Sequence, residues 1–201
     1  MDVNDSDTKT QIFNTALRLF AANGYENVSI RNIADVVGIK TSSIYYHYGS
    51  KEEILDDCYN FYLEHRHDTR LEKDQYEPII RSGTKEEVFA TVNYLFSEEV
   101  IENMVLTLFI IFSRMYTDTK AKEIYMDEIN CSMKYLGEFF NFGVQIGRFH
   151  EFNIPAVSLV ILSFKMFIGQ SILIEPEQTS SWQKAEKESC SELPKLIPFK
   201  Y

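Results

Sequence analysis

At 201 residues, 45% of them hydrophobic and 25% charged, the chain is long and apolar enough to bury a core, which excludes disorder over most of its length. Its net charge of −10, from 20 basic and 30 acidic residues, does not favour a nucleic-acid binder, so any contact with DNA has to come from a local patch. Met1 to Thr10 lacks the basic start and apolar run of a signal peptide, and the longest apolar stretch, Pro155 to Ile174, is interrupted by Ser158, Ser163, Lys165, Gln170 and Ser171; the chain is expected in the cytoplasm and off the membrane.

From Thr8 onward Ile12, Phe13, Ala16, Leu17, Phe20 and Ala21 recur at helical spacing and stop at Asn23-Gly24, which predicts a first helix. Ser29 is placed to cap a second, short helix with Ile30, Ile33, Ala34 and Val37 turned inward. Gly38 ends it, where a positive φ costs least. Thr41, Ser42 and Ser43 are N-cap candidates for a third short helix, whose Ile44 and Tyr48 lie four apart and face one core. Gly49 breaks the chain, and Ser50-Lys51-Glu52-Glu53 has the form of a capping box opening a fourth helix to about residue 70.

Polar residues from Glu72 to Gly83, with Pro78 among them, are expected to join this module to the body. Lys85 to Phe96, Glu98 to Tyr116 and Asp118 to Gly147 are rich in apolar residues at helical spacing. Asn153-Ile154-Pro155 supplies a cap and a first-turn proline for a further helix to Ile174. The tail from Glu175 to Tyr201 is polar, carries Pro176, Pro194 and Pro198, and is expected to be loosely held, with at most one short helix around Trp182 to Ser189. No period-two pattern predicts a strand. The expected fold is all-α: an N-terminal three-helix helix-turn-helix module, residues 1–55 with the start of a connecting helix, and a larger helical body, residues 56–201.

Two short helices joined through Gly38, with the first helix behind them, make a helix-turn-helix, whose second helix fits the major groove. With Ile44 and Tyr48 turned inward, its outer face carries Thr41, Ser42, Ser43, Tyr45, Tyr46 and His47. These hydroxyls, phenols and imidazole suit phosphates and base edges. Plain packing is the alternative for Tyr45 and Tyr46, and a helix ion pair or solvated charge for Lys51.

Gly24-Tyr25, Ser29-Ile30, Ile33-Ala34, Gly38-Ile39, Ile44-Tyr45, Tyr48 and Ser50-Lys51-Glu52 follow one another in order and register. In these residues, over about positions 8 to 55, the chain resembles the tetracycline-repressor (TetR) family of transcriptional regulators. The resemblance implies phosphate contacts from Tyr45 and Lys51, backbone contacts from Ser29 and Arg31, and approach to bases by Thr41, Ser43, Tyr46 and His47. Lys40 stands where the family often has a capping serine and Ser42 where it often has glycine, which leaves the start of the third helix open by a residue. Lys40 adds a charge that with Arg31 and Lys51 forms a local basic patch. The resemblance further implies a homodimeric repressor, released from a pseudopalindromic double-stranded operator by a small-molecule inducer.

Met104, Phe112, Met115, Tyr116, Phe139, Phe142 and Met166, with polar Gln170, are candidates to line a cavity for an apolar or amphipathic ligand; core packing is the alternative for each. Arg114, Asn130, Asn141 and Gln145 sit among such positions as possible orienting groups. Pro155 to Ile174 holds more apolar residues than one buried stripe uses, and is the expected dimer helix. There is no nucleophile elbow, phosphate loop or H-E-x-x-H pattern, and Glu52-Glu53 and Asp56-Asp57 read as a solvated helix face. Cys58, Cys131 and Cys190 have no metal or disulfide spacing, and His65 and His67 lie two apart on a helix. Neither an enzyme, a cofactor nor a metal is expected. The alternative function is a helical interaction protein of the same fold that no longer binds DNA.

Overall fold

The computed structural model describes residues 3–67, 70–92 and 99–174. Among them lie α1 (Val3–Asn23), a 3-10 turn (Tyr25–Asn27), α2 (Ile30–Val37), α3 (Thr41–His47), α4 (Lys51–His65), α5 (Lys73–Ser82), α6 (Lys85–Val92), α7 (Glu99–Arg114), α8 (Thr119–Gln145) and α9 (Ile154–Ile174), with no strand. The tail after Ile174, including the short helix expected at Trp182 to Ser189, and the end of the helix expected to reach Phe96 lie outside the described residues.

The chain divides into two compact units, one of Met1–Arg66 and Glu98–Tyr125, the other of His67–Ser97 and Met126–Tyr201. In the first, α1 packs on α2, α4 and α7, α4 also packs on α7, and α2 on α3. The cause lies in the α1 stripe: Ile12, Ala16, Leu17, Phe20 and Ala21 are all buried, which commits one face of the helix to neighbours. From α7, Met104, Leu106, Ile110 and Ile111 fill the same core. Thr107, fully buried among them, donates its hydroxyl to the Asn103 carbonyl at 2.8 Å, so no polar group is stranded there.

The second unit closes around Tyr76 and Ile80 of α5, Val88 of α6, Leu136, Phe139 and Phe140 of α8, Phe149 just beyond it, and Ile161 of α9. Several of its rings meet edge to face, as Tyr76 does Tyr135 at 87° and Phe139 does Phe140 at 90°, the arrangement that the aromatic quadrupole favours. Arg70 pairs with the Glu128 carboxylate and donates to the Ser132 hydroxyl, which in turn donates to Glu128. Both bonds converge on Glu128 Oε1, which offsets part of the cost of burying the charges, while Oε2 is buried without a partner among the described residues.

Two expectations are corrected. The polar stretch around Pro78 is not a bare join but helix α5: Glu72, Lys73, Asp74 and Arg81 lie outside, while Tyr76 and Ile80, four apart, are 3% and 0% exposed. Burial of that stripe outweighs the one backbone bond that the proline forgoes. Helix α4 stops at His65, short of residue 70, because Tyr62 is the last residue it buries; beyond it no apolar face holds the helix.

Candidate nucleic-acid interface

Helix α2 begins on a reciprocal cap. The Asn32 N–H donates to the Ser29 hydroxyl oxygen at 3.2 Å, and the Ser29 N–H donates to Asn32 Oδ1 at 2.8 Å, satisfying donors that a helix start leaves open. It ends at Gly38, whose φ of 79° is in the left-handed region. There the amides of Gly38 and Ile39 both donate to the Ala34 carbonyl, at 2.9 and 3.0 Å. After this tight reversal Lys40, with extended backbone, is the N-cap of α3, without a side-chain capping bond. Thr41, Ser42 and Ser43 thus occupy the first turn of α3 rather than capping it, and their hydroxyls are not spent on the helix start.

Helix α3 is held from behind by Ile44, fully buried, and by Tyr48, 2% exposed. The Tyr48 phenol donates to Asp57 Oδ2 of α4 at 2.8 Å, and the Lys9 ammonium stands 4.9 Å from its ring centroid. Burial, then the hydrogen bond to Asp57 and its negative charge, push this phenol far above its ordinary range. Tyr48 is therefore a neutral plug that ties the end of α3 to α4.

The other face looks outward. Tyr45 is 55% and Tyr46 75% exposed; Lys40, Thr41 and Ser42 are exposed, and Ser43 and His47 are half-buried. The Tyr46 and His47 rings meet edge to face at 5.0 Å. Ser29 and Arg31 are exposed at the start of α2, and Arg31 has a long i,i+4 pairing with Asp35 at 3.8 Å, which costs little to break. Ser29, Arg31, Thr41, Tyr45 and Lys51 line one open groove of about 550 Å³, together with Glu26.

The structure gathers all ten residues singled out for DNA onto α2, α3 and their flanks, but gives Lys51 a second set of partners. Its ammonium donates to the carbonyls of Tyr25 at 3.0 Å and Val28 at 2.9 Å and lies 4.0 Å from the Tyr25 ring centroid. Two of its three N–H groups are thereby engaged within the fold. Glu26, Tyr25 and Asp57 were not read from the sequence as parts of this face. Tyr25 and Glu26 take partners far along the chain, in Glu52 and Arg114, and Asp57 meets Tyr48 across the break between α3 and α4, so no single helical spacing signals them.

The eight ligand candidates are distributed over both units. Met104, Phe112, Met115 and Tyr116 fall in the first, Phe139, Phe142 and Met166 in the second, and the side chain of Gln170 lies outside the described residues. Met104 is buried and Tyr116 is 84% exposed, Phe112 packs on Tyr125 at 5.5 Å, and Phe139 is fully buried in the aromatic cluster. Asn130, Asn141 and Gln145 are exposed, whereas Arg114 turns to Glu26 and Asp118. Burial pushes the Cys58 thiol up to about 12, which makes it a core group rather than a nucleophile. Among the described residues no group of three His, Cys, Asp or Glu side chains is placed to hold a metal, and no helix is long and apolar enough to cross a membrane.

Residues 12–58 match the family model of bacterial regulatory proteins of the tetR family. The chain is 37% identical over 60 residues to the biofilm operon icaADBC negative transcriptional regulator IcaR of Staphylococcus epidermidis, a match covering 28% of this chain and 32% of that protein. It is 28% identical over 124 residues to the transcriptional repressor KstR2 of Rhodococcus jostii, covering 62% of this chain and 51% of that one. These matches thus span about a third and about half of the relatives' lengths. In fold it is similar to the ketosteroid transcriptional regulator KstR2 of Mycobacterium tuberculosis, with a TM-score of 0.67, 20% identity, and 96% of this chain and 95% of that chain covered. A transcriptional regulator from Saccharomonospora viridis in complex with choline superposes with a TM-score of 0.65, 19% identity, and 97% and 100% covered. Both relatives matched in sequence are named as transcriptional regulators.

Proposed function

We propose that this chain, whose N-terminal helix-turn-helix belongs to the tetracycline-repressor family, is a DNA-binding transcriptional repressor that leaves its operator when a small apolar or amphipathic molecule occupies its helical body. The observation that carries the reading is the division of α3 into a buried side, Ile44 and Tyr48, and an outward side on which Thr41, Ser42, Tyr45 and Tyr46 are exposed. A short helix anchored on one side and rich in donors on the other is what a major groove accepts. Tyr46, Thr41, Ser42, Ser43 and His47 face the bases; Tyr45, Ser29, Arg31, Lys40 and Lys51 face phosphates, supplying locally the attraction that a net charge of −10 withholds. Such a protein works in the cytoplasm, where its operator is.

Two recognition helices about one DNA turn apart read a pseudopalindrome, so the working form is a homodimer. Leu159 and Val160 of α9, each 56% exposed, support that helix as the interface. The density of methionine and aromatic side chains in the body supports a ligand site, and coupling of roughly 1 to 3 kcal/mol between ligand and operator would suffice for release.

The test is selection of bound fragments from random duplex DNA by the purified chain, beside Tyr46→Ala, a substitution at a largely exposed ring. Recovery of a pseudopalindrome, with affinity reduced about ten-fold or more in the variant, supports operator binding. Absence of enrichment at low salt from folded protein sinks it and leaves the interaction-protein reading. Release of the recovered operator by members of a panel of amphipathic small molecules then tests the ligand half; a panel member that binds and leaves operator affinity unchanged speaks against coupling.

A further inference from the structure

Tyr25 is only 7% exposed although it belongs to a three-residue turn between helices. Two cations stand over its ring, the Lys51 ammonium at 4.0 Å and the Arg114 guanidinium at 4.2 Å from the centroid, where the ring quadrupole attracts positive charge. Its phenol donates to Glu52 Oε1 at 3.1 Å, and Phe20 meets its edge at 5.1 Å. Arg114 ends α7, 89 positions away. Its Nη1 donates to Glu26 Oε1 at 2.8 Å, and its Nε lies 3.5 Å from Asp118 Oδ2. Asp118 is itself fixed, accepting from the Tyr59 phenol at 3.0 Å and from the amides of Lys120 and Ala121 at 2.9 and 3.2 Å. The Arg114 side chain is 14% exposed, so it is not a loose surface charge.

The connection that this cluster grips runs straight into Ser29, the cap of α2, and its Glu26 and Val28 line the groove beside Arg31 and Tyr45. Glu26 is 77% exposed there, a negative charge facing the place proposed for phosphates. Pairing with Arg114 offsets that charge.

We propose that Arg114 is a positioning residue for DNA binding: through the Tyr25 ring and the Glu26 carboxylate it holds the connection between α1 and α2, and with it the Ser29 end of the groove, in the shape that meets the DNA backbone. The proposal rests on the operator-binding reading of α3. It makes the end of α7 a point from which the groove is altered without touching any base-facing residue.

The experiment measures affinity of the full chain for its selected duplex across a range of salt, and hydrogen exchange of residues 24–30 in the DNA-free protein, for the wild type, Arg114→Gln and Arg114→Lys. Arg114→Gln is expected to weaken binding about ten-fold, with the slope of log affinity against log salt unchanged, and to speed exchange in residues 24–30. Arg114→Lys, which keeps the charge but not the planar fork, is expected to recover part of both losses. Unchanged affinity and exchange in folded Arg114→Gln overturns the proposal. A slope reduced by about one with exchange unchanged also overturns it, because Arg114 then contacts a phosphate itself. Should Arg114→Gln fail to fold, the same two readouts on Arg114→Lys decide, an intermediate loss in both supporting the proposal and no loss in either overturning it. A wild type that binds no duplex overturns the operator reading instead, a result distinct from a wild type that binds and a variant that binds as well.

Discussion

Gly38 shows how a single residue sets the angle between two helices. Its φ of 79° is cheap only without a Cβ, and its amide and that of Ile39 share the Ala34 carbonyl, so α3 starts as soon as the chain has reversed. Gly38→Ala is expected to cost about 1 to 2 kcal/mol of stability, read as a fall in the midpoint of urea unfolding at unchanged slope. A loss of only a few tenths would mean that the turn relaxes and does not constrain α3. The tyrosines divide by the same logic of surroundings: Tyr48 is a plug because its ring is buried and its phenol donates to the half-buried Asp57, whereas Tyr46, 75% exposed, has its phenol available to a partner.

Among the elements, the corner between α7 and α8 is fastened by charge rather than by apolar packing alone. Burial by itself would raise the Asp118 carboxyl, but the Ala121 amide, the Tyr59 phenol, the Arg114 guanidinium and the Lys120 amide outweigh it and hold the group below the usual carboxylate range. A carboxyl held low in the folded state stabilises the fold above its unfolded value, and that contribution fades as pH falls through the folded value. Stability measured by urea unfolding is therefore expected to decline as pH falls below about 4, and Asp118→Asn to lower stability at neutral pH while flattening the acid limb. Parallel pH curves for the two proteins would show that the corner does not depend on this charge. Helix α5 teaches the complementary point: a stripe of two buried residues, Tyr76 and Ile80, outweighs a proline and a polar outer face.

For the whole molecule, the two compact units separate the proposed tasks unequally. The unit that carries α1 to α4 also contains α7, so the helix-turn-helix is braced by a helix that the sequence places in the body. The proposed homodimer belongs to this scale as well. Sedimentation equilibrium is expected to give a dimer at micromolar concentration, and Leu159→Glu with Val160→Glu, at two exposed apolar positions of α9, to give a folded monomer. A wild-type monomer would remove the geometry by which paired recognition helices span a DNA turn, and a dimer indifferent to both changes would place the interface elsewhere.

Periodicity and punctuation were sufficient for the helices of the N-terminal module: the stripe from Ile12 to Ala21, the cap at Ser29, the stop at Gly38 and the inward pair Ile44 and Tyr48 are local events, decided within a few residues by backbone geometry and burial. The order of those elements also exposed the family resemblance. What local reasoning could not reach were partners brought together over long separations. Pro78 sits inside a helix because Tyr76 and Ile80 find a core made by α6, α8 and α9, and Arg114 belongs with the helix-turn-helix because Glu26 and Tyr25 lie beside it in space. A charge in the sequence carries no mark of the distant group that will pair with it; packing chooses that group, and with it whether the charge is left open to solvent or engaged within the fold.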